Sequence, residues 1–114
     1  MAQQFLMVPY SVLLDDNIND GDKLTLSLIL SYSKMDKGCI ISNRKLGKIL
    51  NISPTAASER ITKLKKLGYV NCINVTINNY TKRKVIPNLP FGLDEDTLQV
   101  KLKEIFGLDE GGTR

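Results

Sequence analysis

A chain of 114 residues fits one compact domain with a modest core. It is 42% apolar and 25% charged with a formal net charge of +4, ordinary figures for a folded globular protein, and no apolar run approaches the ~20 residues that cross a bilayer. It has no histidine and only two cysteines, which excludes a structural zinc site of about four Cys/His ligands as well as Ser/His and Cys/His nucleophile pairs.

Gly38, Gly47 and Gly68 stand alone, so there is no glycine-rich phosphate loop. No cofactor, metal or enzymatic activity is expected. The N-terminal MAQQFLMVPYSVLL lacks a basic leader and a small-residue cleavage site, so it does not read as a secretory signal and a cytoplasmic, membrane-free protein is predicted. Cys39 and Cys72 each lie in apolar strand-like runs and read as buried, reduced thiols.

In chain order, Phe5–Val8 is a short apolar run, either an edge strand or a segment packed on helices, and Pro9 ends it. Tyr10–Leu14 predicts a turn that buries Val12, Leu13 or Leu14, and Asp15–Gly21 (DDNINDG) is loop chemistry. A first helix follows at about Lys23–Met35, capped by Asp20 or Asp22. Leu24, Leu28, Ile29 and Tyr32 recur at helical spacing, and Leu26, Leu30 and Met35 widen the stripe. So apolar a helix needs cover on more than one side, as the centre of a small domain or in a dimer.

Asp36-Lys37-Gly38 is a turn and Cys39–Ile41 a very short strand. Ser42 then caps a second helix at about Asn43–Asn51, with Leu46, Ile49 and Leu50 inward. Ser53 caps a third, with Pro54 at its first position, where a missing N–H costs nothing. Ala57, Ile61 and Leu64 form its buried seam, Leu67 closes it and Gly68 ends it. Tyr69–Ile77 is a strand, Asn78-Asn79 a turn and Lys82–Ile86 the returning strand. Asn88–Gly92 reads as a linker broken by Pro87 and Pro90. It leads to a last helix at about Glu95–Phe106, and the tail DEGGTR reads as frayed.

The stretch NRKLGKILNISPTAASERITKLKKLGYV carries the most information. Two short amphipathic helices flank a tight turn at Asn51-Ile52-Ser53, and the second runs through a glycine into an apolar strand. That is the grammar of a helix-turn-helix whose second helix is presented to DNA, followed by the hairpin of a winged helix. The predicted fold is mainly α with a small β-hairpin: a winged helix-turn-helix over residues 1–87, then a linker and C-terminal helix over 88–114. Charge follows the motif. Between Lys37 and Val85 eleven basic residues face the single acid Glu59, a net of +10; with +4 overall, the remainder carries −6.

With these elements in order, residues 5–76 resemble the N-terminal winged-helix domains of replication-initiation and replisome-organiser proteins from phages and plasmids of Gram-positive bacteria. The resemblance rests on FLMVPYSVLLDDN, on SYSKMDKGCIISN, on KLGKILNIS and on PTAASERITKLKKLGYV. The last 30 or so residues show no primase, ATPase or helicase-loader module. The resemblance implies that the exposed face of the second helix of the motif enters the major groove.

On that mapping Ser53, Pro54, Thr55, Ala56, Ser58, Glu59, Arg60, Thr62 and Lys63 form the recognition-helix site. Thr55 and Ser58 suit a base edge or phosphate, Ala56 a thymine methyl, and Glu59 a cytosine N4 amine. Glu59 equally suits an i,i+4 surface pair with Lys63. Arg44, Lys45, Lys48 and Lys66, with Arg60 and Lys63, are candidate phosphate contacts, and Lys65 is the cation most readily left to solvent. Asn79, Tyr80, Lys82, Arg83 and Lys84 make the candidate wing, against the alternative of an ordinary solvated hairpin.

A sequence-specific duplex-DNA-binding protein of a phage or plasmid is the leading expectation, acting in replication, partition or transcription. The small size suits an adaptor or regulator, with a replication protein or a filament-forming partition NTPase as a further partner. The alternative is a winged-helix interaction module for an acidic protein. A homodimer is expected, with Leu98, Leu102, Ile105 and Phe106 at its interface; the same stripe folded back on the first helix of its own subunit is the competing arrangement.

Overall fold

The computed structural model describes residues 5–88 and 92–107. It contains α1 (Tyr10–Leu13), α2 (Asp20–Ser33), α3 (Asn43–Leu50), α4 (Pro54–Lys66), β1 (Val70–Ile77), β2 (Tyr80–Pro87) and α5 (Glu95–Phe106). This is the expected winged helix-turn-helix with an added C-terminal helix.

The Phe5–Val8 run forms no strand: Val8 packs partly on the core while Phe5 and Met7 are exposed. α1 is a single turn begun by the Pro9 carbonyl, and it buries Val12 completely. α2 starts a turn earlier than predicted, and its cap is neither Asp20 nor Asp22. Asn19 Oδ1 accepts the Asp22 N–H at 2.8 Å and Asp22 Oδ2 accepts the Asn19 N–H at 3.3 Å, a reciprocal box that satisfies two otherwise orphaned donors.

The buried face of α2 is also rotated from the expected one. Leu26 and Ile29 are fully buried beside Asp22, Thr25 and Ser27, whereas Leu24 is exposed. Polar residues tolerate that position because Thr25 Oγ1 donates to the Gly21 carbonyl and Ser27 Oγ to the Lys23 carbonyl, each at 2.8 Å. α2 is covered by α1, α4 and β2, the many-sided cover that its composition requires.

The Cys39–Ile41 strand shrinks to one bridge, in which the Val85 N–H donates to the Cys39 carbonyl at 2.8 Å. Ser42 caps α3 through the Lys45 N–H at 3.1 Å. Leu46 is buried as expected, but Ile49 is exposed and Gly47 takes the inward place. At Gly47 a Cβ would stand 2.6 Å from the Ile52 carbonyl oxygen, so the turn between the helices closes against a position with no side chain. Asn51 ends α3 in the left-handed conformation (φ 61°) and Ser53 caps α4 through the Ala56 N–H at 3.0 Å.

Ala57, Ile61 and Leu64 of α4 meet Leu26, Ile29, Leu46, Val70 and Val85 in the core. The hairpin pairs Val70 with Pro87 through to Ile77 with Tyr80. Asn78 and Asn79, at φ 51° and 68°, make the two-residue turn that matches strand twist. Cys39 and Cys72 are both free thiols; Cys39 is buried as expected, which pushes its thiol pKa up, whereas Cys72 is only half-buried.

α5 has the expected bounds. Asp94 caps it, the Leu93 N–H donates to the Ser11 carbonyl at 2.8 Å, and Lys101 pairs with Asp16 at 2.7 Å. Three residues of the Asn88–Gly92 linker (89–91) and the 108–114 tail lie outside the described residues. None of the described helices is long and apolar enough to cross a membrane.

Candidate nucleic-acid interface

A helix advances about 100° per residue, so positions four, seven and eleven apart share a stripe. Opposite the Ala57/Ile61/Leu64 seam, this rule aligns Thr55, Glu59, Thr62 and Lys66, and all four are exposed. Ser53 and Pro54 are exposed at the helix start, and Ala56 and Ser58 are half-exposed on its flanks. Glu59 forms no ion pair among the described residues, so the surface pair with Lys63 is not made.

Two expected members of this face turn aside. Arg60 Nη1 donates to the Gly21 carbonyl at 3.3 Å and lies 3.5 Å from Thr25 Oγ1. Its guanidinium lies so close to Gly21 that an added Cβ would stand 2.8 Å away. Lys63 Nζ donates to Asp22 Oδ2 at 2.6 Å, with the Asp22 side chain 2% exposed and that of Lys63 46%. Asp22 thus serves both the α2 cap and the flank of α4. In the sequence Asp22 reads only as a cap, because nothing local marks a pairing across 41 positions.

Arg44, Lys45 and Lys48 project from α3 into solvent, as does Lys66 from α4. Lys45 and Lys82, with Lys37, line an open cleft of about 620 Å³ floored by Tyr32, Met35, Ile40 and Ile41. Lys37 belongs to the basic block, but its place beside the wing depends on how β2 returns past Gly38, which no local pattern reveals.

In the hairpin, Asn79, Tyr80 and Lys82 are exposed. Arg83 is not a free wing cation. It shares the inward face of Val85, two residues on, and donates to Asn43 Oδ1 at 2.6 Å and the Ile41 carbonyl at 2.9 Å, fastening the wing to the start of α3. Lys84 is half-buried, with its Cε laid over Gly38.

The apolar stripe of α5 is divided. Leu98 and Leu102 are half-buried on the helix that meets α1, while Ile105 and Phe106 are exposed. Part of it is therefore used within the chain.

Residues 16–70 match the profile of a family described as "Helix-turn-helix domain". No curated protein matches the chain. Two solved structures share its fold. One, described as the "N-Terminal domain of DNA binding protein", has a TM-score of 0.59 at 18% identity and covers 94% of this chain and 90% of that one. The other, "Structure of Rep-DNA complex", has a TM-score of 0.57 at 17% identity and covers 94% of this chain and 91% of that one. At these identities the likeness concerns the fold, a winged helix-turn-helix.

Proposed function

We propose that this domain binds duplex DNA sequence-specifically, with the Thr55/Glu59/Thr62/Lys66 stripe of α4 in the major groove. One observation carries the reading: the only acid of the +10 block, without an ion pair among the described residues, stands in the middle of that stripe. Beside phosphates an unpaired carboxylate is repelled. Opposite a cytosine amine it accepts a hydrogen bond and discriminates between bases. Arg44, Lys45 and Lys48 on one side and Lys82 on the other hold the backbone without reading it. Thr55 and Thr62 flank Glu59 with hydroxyls suited to base edges or phosphates.

The role lies in the replication, partition or transcription of a phage or plasmid, in the cytoplasm where that DNA resides, and a homodimer would place two α4 helices on adjacent half-sites. The likeness to a structure of a Rep–DNA complex is in keeping with replication. Selection of bound fragments from host and plasmid DNA, followed by footprinting, tests the proposal: a protected, recurring sequence is expected. Replacing Thr55 by Ala should then cost ~1–3 kcal/mol on that site and much less on random duplex. Equal losses on both would show that α4 does not read sequence, and recovery of random fragments only would leave open the alternative of an acidic protein partner.

A further inference from the structure

The two edges of the hairpin are unlike. β2 carries Lys82, Arg83 and Lys84, ends at Pro87, and is covered at Val85 by Cys39. Charge, proline and cover are the usual guards of an open strand edge. β1, VNCINVTI, has none of them: across eight residues paired without a bulge it holds no charge, proline or glycine.

The two-residue turn makes Ile77–Tyr80 a hydrogen-bonded pair, so Ile77, Val75, Ile73 and Asn71 direct their backbone groups to β2. Cys72, Asn74 and Thr76 direct theirs outward, and no other backbone meets them among the described residues. Ile73, Val75 and Ile77 share one face, Ile73 47% exposed and the other two half-buried.

We propose that β1 pairs antiparallel with β1 of a second copy of this chain, about a two-fold axis at Asn74, to form a four-stranded sheet. The strand is complementary to itself in that register. Asn74 meets the partner's Asn74, and Cys72 meets the partner's Thr76 on each side of the axis, which gives six main-chain hydrogen bonds. Ile73 then lies against the partner's Val75, and Val75 against the partner's Ile73, so four β-branched side chains close one apolar patch. A slip of two residues toward the strand start sets Val75 against the partner's Asn71 and breaks the apolar patch, and one toward the turn, with Ile73 against the partner's Ile77, leaves only the 73–77 segment paired.

Charge selects a second copy as the occupant. The strand is neutral, so two copies meet without repulsion at the seam, and the lysines of both hairpins lie one strand further out. This goes beyond the DNA-binding reading and does not depend on it, because it concerns the protein alone.

Sedimentation equilibrium of the full chain without DNA, across the micromolar range, tests the pairing. A dimer is expected. Asn74→Pro should raise its dissociation constant by about tenfold or more, because the lost N–H points outward and the hairpin's own ladder is untouched; Asn74→Ala should leave it unchanged. In a Cys72→Ser background, Asn74→Cys should give a disulfide-linked dimer on mild oxidation, since facing Cα atoms of such a pair stand about 5.5 Å apart. Asn71→Cys should not.

A monomer throughout the range overturns the proposal, and so does a folded Asn74→Pro chain that dimerises undiminished. Should Asn74→Pro misfold, the absence of the Asn74→Cys cross-link overturns it instead. Dimerisation without any DNA binding would fail the functional reading and leave this pairing standing.

Discussion

Asp22 is the residue on which the two halves of the charge pattern meet. Its carboxylate closes the cap of α2 and holds Lys63 at 2.6 Å, so one cation on the flank of α4 is already occupied before DNA arrives. Asp22→Asn keeps an acceptor for the cap and removes the charge. The freed ammonium should then reach phosphate, strengthen binding to random duplex and steepen log K against log salt by about 0.9. An unchanged slope on random DNA would mean that Lys63 stays out of reach of the backbone. Tyr69 is a second buried-side partnership. Burial and then its hydrogen bond to Asp15 push its pKa from the ordinary 10.0 up to about 12. A raised folded-state pKa stabilises below the unfolded value and ceases to do so above the folded one. The stability difference between the native chain and Tyr69→Phe should therefore hold steady from neutral pH to 10 and shrink between pH 10 and 12, as read from denaturant midpoints. At this scale the sequence revealed inner seams better than flanks. Ala57, Ile61 and Leu64 follow from spacing alone, whereas Arg60 and Lys63 are claimed by Gly21, Thr25 and Asp22, partners set by how α2 crosses α4.

Helices and strands were legible where their ends carry their own chemistry. Ser42, Ser53 and Asp94 each accept a backbone N–H three residues on, Asn78-Asn79 take the positive φ of the turn, and the elements they bound lie where expected. α2 starts a turn before the expected position because its start depends on a reciprocal pair, Asn19 with Asp22, inside an acid-rich loop offering several equivalent caps. The expected Cys39 strand is a single bridge because one apolar run serves equally as either. Alternation along β2 puts Arg83 on the side of Val85 and leaves Lys82 outside, a division hidden in a run of three cations. The two should separate on mutation. Lys82→Ala should leave thermal stability unchanged and lower the salt slope of DNA binding by about 0.9. Arg83→Ala should instead destabilise the fold by about 1–3 kcal/mol, because it removes the donors to Asn43 and to the buried Ile41 carbonyl. Thermal melts beside binding titrations at several salt concentrations distinguish them, and a salt slope that falls equally for both would return Arg83 to the DNA surface.

Across the whole molecule, basic and acidic charge are distributed to different elements. The basic block occupies α3, α4 and the hairpin, while α5 and its acidic start lie against α1, tied through Ser11 and Asp16. In the sequence the apolar stripe of α5, on a segment beyond a proline-broken linker, points to a dimer contact. The fold divides that stripe, with Leu98 and Leu102 half-buried and only Ile105 and Phe106, 56% and 55% exposed, left at the end of the helix. Two side chains at one helix terminus are a small nucleus beside an eight-residue strand edge that offers main-chain bonds along its length. The double variant Ile105→Lys, Phe106→Lys tests the allocation without disturbing the core, since neither residue is buried. Its circular dichroism and melting temperature should match those of the native chain, and in sedimentation it should self-associate as the native chain does, because β1 is untouched. Conversion of a dimeric chain to a monomer by these two lysines would move the interface to α5.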